Sequence, residues 1–108
     1  MKIVAMAQTK GGSSKSCTAI NLACAAIQQG DKVALVDMDA GQLTSLNWGL
    51  VRGKDSPTVI ECRLPALNDK IAELRREDYG WVFIDLPGRD SPVVSLGMTA
   101  ANMVLIPC

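Results

Sequence analysis

Short apolar runs alternate along this chain with longer stretches in which apolar residues recur at helical spacing. The first run, Lys2-Ile3-Val4-Ala5-Met6-Ala7, has the character of a strand buried on both faces. Ser16 to Gln29 follows as a predicted helix with Ile20, Ala23, Cys24 and Ile27 as its buried stripe, and Gly30 stands where a left-handed cap ends such a helix. Lys32-Val33-Ala34-Leu35-Val36 is a second strand, ending in Asp37. Gln42 to Trp48 reads as a short helix, and Gly49 to Pro57 as an exposed loop. Pro57 to Cys62 is β-branched and led by proline, which suits an edge strand. Leu67 to Arg76, with Leu67, Ile71 and Leu74 in phase, is an amphipathic helix. Trp81 to Ile84 forms the next strand, Ser91 to Ala101 a helix behind Pro92, and Met103 to Pro107 a last strand. Strand and helix in alternation imply an α/β fold, a parallel sheet flanked by helices and joined by right-handed crossovers.

Composition narrows the class. With 108 residues, 48% hydrophobic and 20% charged, the chain suits one globular domain over 1–108 built on one core. It has no apolar run long enough to span a bilayer and no signal-peptide core, so no membrane association and a cytoplasmic location are expected. Acids and bases balance at 11 each, which argues against a dedicated electrostatic grip on DNA within these residues; Arg75-Arg76 reads as a solvated helix face. Histidine is absent, removing histidine triads and histidine metal sites, so catalysis must run on carboxylates, lysines and metal. Cys17, Cys24, Cys62 and Cys108 show no Cys-x-x-Cys spacing, which argues against a zinc knuckle or redox motif. Cys24 reads as helix core. Cys17, near a helix start and beside Lys15, reads as small-residue packing or as a reactive thiol.

Candidate chemistry gathers at the ends of the strands. Between the first strand and the first helix lies Lys10-Gly11-Gly12-Ser13-Ser14-Lys15-Ser16-Cys17-Thr18, a glycine-containing loop that delivers a lysine to a helix N-terminus. There the first backbone N–H groups lack intrahelical partners and the dipole's positive end faces outward, so main chain can hold a phosphate. The ordinary Walker A pattern wants glycine where Thr9 and Ser14 stand, so that match is incomplete. Ser14 is the weightier departure, because a loop glycine serves positive φ or close phosphate approach. Asp37 and Asp39 follow the second strand at a spacing that puts both on one strand face, and Asp85 opens Asp85-Leu86-Pro87-Gly88 after Ile84. Carboxylates at strand C-termini sit where open parallel sheets bind ligands. Magnesium uses one or two carboxylates together with phosphate oxygens, so Ser16, Asp37 and Asp85 make a plausible sphere. Plainer readings stand beside these: an N-capped helix start at Ser16, a solvated loop lysine at Lys10, turn or cap roles for the aspartates.

The lysine before the Gly-Gly pair resembles the deviant Walker A loop of the ParA/MinD family of partitioning ATPases, Lys-Gly-Gly-x-Gly-Lys-Thr-Thr. The chain departs from it at Ser14, Ser16 and Cys17, and Ser16 keeps the hydroxyl that magnesium needs. Asp37-Met38-Asp39-Ala40-Gly41-Gln42 resembles the family's Asp-x-Asp-Pro-Gln segment, and Asp85-Leu86-Pro87-Gly88 its Walker B turn. The resemblance implies a P-loop NTPase-like sheet, present here as far as the fourth or fifth strand, with ATP bound by residues 10–17 and Mg2+ by Ser16, Asp37 and Asp85. It assigns Lys15 the β- and γ-phosphates, Asp39 the attacking water, and Lys10 the nucleotide of a partner subunit across a sandwich homodimer. It further implies slow ATP hydrolysis in plasmid or chromosome partitioning, stimulated by a centromere-binding ParB-like partner, with non-specific DNA binding by the dimer. The same residues also fit a nucleotide-binding or dimerisation module that does not hydrolyse. A membrane-surface cell-division regulator would need a C-terminal amphipathic helix and an iron–sulfur reductase interface cysteines; neither is recognisable here.

Overall fold

A computed structural model describes residues 1–7, 14–38, 48–49, 57–86 and 101–105, with 14–17, 64 and 105 described through their backbone. Its elements run β1 (Lys2–Met6), α1 (Ser14–Gln28), β2 (Val33–Asp37), β3 (Thr58–Glu61), a 3-10 turn (Leu64–Ala66), α2 (Leu67–Arg76), β4 (Trp81–Asp85) and β5 (Met103–Leu105). The five strands form one parallel sheet in the order β3-β2-β4-β1-β5. The inner strands β2, β4 and β1 are nearly continuous apolar runs because both of their faces are covered. The strand that begins after Pro57 lies at the sheet edge, where a residue without an N–H is tolerated.

Alternation along the strands divides the core into two layers. Val4, Met6, Val33, Leu35 and Phe83 face α1, meeting Ala19, Ala23 and Ala26. Ile3, Ala5, Ala34, Val36, Val82 and Ile84 face the other way, onto Leu67, Ile71 and Leu74 of α2. The α2 stripe is the one its periodicity predicts. In α1 the buried stripe is instead Ala19, Ala23 and Ala26, with Ile20, Cys24 and Ile27 half-buried at its margins. Small side chains let the helix axis approach the sheet, and the larger ones then wedge along the flanks.

Both helices close in the same way. Gly30, at φ +90°, donates to the Ile27 carbonyl (2.9 Å) while Asp31 N donates to Ala26 O (3.3 Å), the paired bonds of a Schellman cap. After α2, Asp78 takes the left-handed position (φ 62°), with Asp78 N donating to Arg75 O (3.2 Å) and Tyr79 N to Leu74 O (3.3 Å). Tyr79 is then buried and shares a hydroxyl hydrogen bond with Thr58 Oγ1 (2.8 Å), tying the start of β3 to the chain entering β4. Asn102 extends the β1–β5 ladder: its N–H donates to Ile3 O (2.8 Å), and its Oδ1 accepts from Ile3 N (2.8 Å).

Two boundaries differ from expectation. The first helix begins at Ser14 rather than Ser16, and Ala101 is not helical; the end of the last strand expected over 106–107 lies outside the described residues. Trp48 and Gly49 are helical, which puts Gly49 in a helix and not in the expected loop. The remainder of the helices expected over 42–47 and 91–100 lies outside the described residues.

Candidate phosphate and magnesium site

The strand ends carry the chemistry. Asp37 is the last residue of β2 and Asp85 the last of β4, and the two are register partners on adjacent parallel strands. Each is 0% exposed, and among the described residues they are the two buried charged side chains. Asp37 has the parity of Val33 and Leu35, and Asp85 that of Phe83, so both belong to the α1 face. The ladder runs on past them: Met38 N donates to Asp85 O (2.9 Å), Cys62 N to Asp37 O (3.0 Å) and Leu86 N to Met6 O (3.2 Å). The carboxylates therefore project from a backbone held on both sides.

The N-terminus of α1 lies at the same edge. A helix joining two parallel strands must run back along the sheet, and 15 residues at about 1.5 Å each give roughly 22 Å, enough to return the full length of a strand. Its first turn, Ser14, Lys15, Ser16 and Cys17, contains no acidic residue, so nothing in it offsets the positive end of the dipole. Ser14 is helical and is not among the positive-φ residues, which within the described chain are Gly30 and Asp78. A helical backbone there carries no demand for glycine.

Of the sequence-predicted site residues, the fold sets Asp37 and Asp85 in register, with the start of α1 at the same end of the sheet. Lys10, Gly11, Gly12, Ser13 and Asp39 lie outside the described residues. Glu61, not singled out by its sequence, ends β3 in register with Asp37 and shares the parity of Val59. Its side chain is exposed and 3.9 Å from Arg63 Nη2, a solvated ion pair and no part of the buried pair. Position at a strand end was the signal that could have drawn notice to it. Beside it, burial pushes the Cys62 thiol pKa up, with Lys70 pulling weakly the other way.

Two buried carboxylates at the end of the sheet where α1 begins are the kind of donors that magnesium takes when it shares its sphere with phosphate oxygens. A cavity of about 250 Å3 lies elsewhere, between the later turns of α1 and Trp81, with an apolar lining unsuited to phosphate.

The fold is a parallel α/β sheet with buried carboxylates at its strand ends, and comparison with known proteins gives its family. A sequence-family profile described as an AAA domain matches residues 1–64. The chain is 29% identical over 110 residues to Protein ParA of Rhizobium radiobacter, covering 99% of this chain and 48% of that protein. It is 31% identical over 132 residues to the chromosome-partitioning ATPase Soj of Thermus thermophilus, covering 96% and 53% respectively. Among solved structures, the MinC:MinD cell division complex of Aquifex aeolicus superimposes with a TM-score of 0.74 at 18% identity, over 98% of this chain and 55% of the other. An ADP-bound nucleotide-binding protein of Archaeoglobus fulgidus gives 0.67 at 22%, over 97% and 53%. The chain belongs to the ParA/MinD family of ATPases, and its sheet is the P-loop NTPase-like fold. It spans about half the length of the curated relatives it matches.

Proposed function

We propose that this chain is the nucleotide-binding part of a ParA-like ATPase that binds Mg-ATP and hydrolyses it slowly, within a nucleotide-dependent sandwich homodimer serving plasmid or chromosome partitioning. The observation that carries the reading is the in-register pair Asp37 and Asp85, buried on the face where α1 begins. In this reading the main chain of Gly11 to Cys17 holds phosphate oxygens, and Lys15 supplies charge to the β- and γ-phosphates. Ser16, Asp37 and Asp85 would hold Mg2+, directly or through its waters. Bound Mg2+ neutralises charge that develops on the phosphoryl oxygens. Asp39 orients the attacking water, and Lys10 reaches the phosphates bound by the partner subunit. A ParB-like partner and non-specific DNA belong to the same proposal, as do a single domain over 1–108 and a cytoplasmic location. Among the described residues no helix is long and apolar enough to cross a membrane.

Calorimetry with Mg-ATP, wild type beside Lys15→Ala, tests the reading. Binding that is lost in the variant supports it; equal heats, or none in either folded protein by circular dichroism, overturn it. Sedimentation with ATP, beside Lys10→Ala, then tests the dimer: association in wild type alone supports the assigned role of Lys10. A non-hydrolysing module is favoured by one observation, the serine at position 14. Nucleotide binding without turnover, unchanged in Ser14→Gly, would decide for it.

A further inference from the structure

We draw no further inference here: the strongest candidate, the apolar trough of about 250 Å3 between the later turns of α1 and the β5 edge of the sheet, lined by Val4, Leu22, Ala26, Trp81, Phe83 and Met103, is an unpartnered apolar face, and nothing in the structure shows what covers it.

Discussion

Asp37 and Asp85 end adjacent parallel strands in direct register, on one face of the sheet and out of contact with solvent. Adjacent strands lie about 4.8 Å apart, so the two carboxylates leave the backbone as near neighbours. Burying charge is costly unless it is partnered, and no described buried side-chain oxygen or nitrogen lacks a hydrogen bond. Both carboxylates keep partners within the chain, and under the proposed function a divalent cation shared with phosphate would be a further one.

Neutralising either carboxylate without changing its shape separates that role from folding. Asp37→Asn and Asp85→Asn are expected to remain folded by circular dichroism. Each should also lose the part of nucleotide affinity that depends on Mg2+, by about 10- to 100-fold. Titration of nucleotide with and without Mg2+ measures this. If the magnesium-dependent gain in the Asn variants equals that of wild type, the carboxylates are structural.

Gly49 is expected to tolerate no side chain. A Cβ built on it would meet Val59 Cγ2 at 2.7 Å and Val59 Cβ at 2.8 Å, on the sheet face shared with Trp48. Overpacking of that kind costs about 1–3 kcal/mol, more than alanine's helical advantage of about 1 kcal/mol returns. Gly49→Ala should therefore lower the urea midpoint, and adding Val59→Ala should recover part of the loss. A double-mutant cycle with no coupling between the two positions would refute the contact.

Asp78 offers the opposite change. It is exposed and holds the left-handed cap position after α2 (φ 62°), the role Gly30 fills after α1. A left-handed L-residue costs about 1–2 kcal/mol, and glycine's extra chain entropy takes back about 0.5–1 kcal/mol. Asp78→Gly should stabilise the chain by about 0.5 kcal/mol, and Asp78→Val should destabilise it, both read from denaturant unfolding. Equal stabilities for the two variants would show that the cap does not hold in solution.

What the sequence revealed of this fold follows from how local the cause is. The inner strands were legible because burial on both faces leaves unbroken apolar runs such as Val33 to Val36. Gly30 was legible because its φ is a property of one residue. Asp37 and Asp85 could be placed on strand ends, but their register could not, since it depends on β2 and β4 pairing across more than 40 intervening residues. The α1 stripe was misread toward Ile20 and Ile27 because side-chain size was weighed over closeness of approach, and the sheet selects the alanines. Asp78 was missed because aspartate gives only a weak sign of the left-handed region that glycine would announce. The start of α1 at Ser14 depends on where the chain leaves β1, and no capping signal there distinguished Ser14 from Ser16.

Cys62 is a buried thiol beside the strand end that carries Asp37. It is 5% exposed; its N–H donates to Asp37 O (3.0 Å) and its thiol to Arg63 O (3.4 Å). Burial raises its pKa above the ordinary 9.0, outweighing the pull of Lys70. The folded state therefore keeps the proton to higher pH than the unfolded chain does. With the folded pKa raised, the thiol's contribution is fully present below about pH 9 and is lost as pH climbs from there through the folded pKa. Alkylation of Cys62, followed by peptide mass mapping, should show a pH–rate profile displaced upward relative to the denatured protein. Cys62→Ala should be less stable than wild type at neutral pH, with the gap narrowing above pH 9. Coincident alkylation profiles for folded and denatured chains would show that Cys62 is open to solvent.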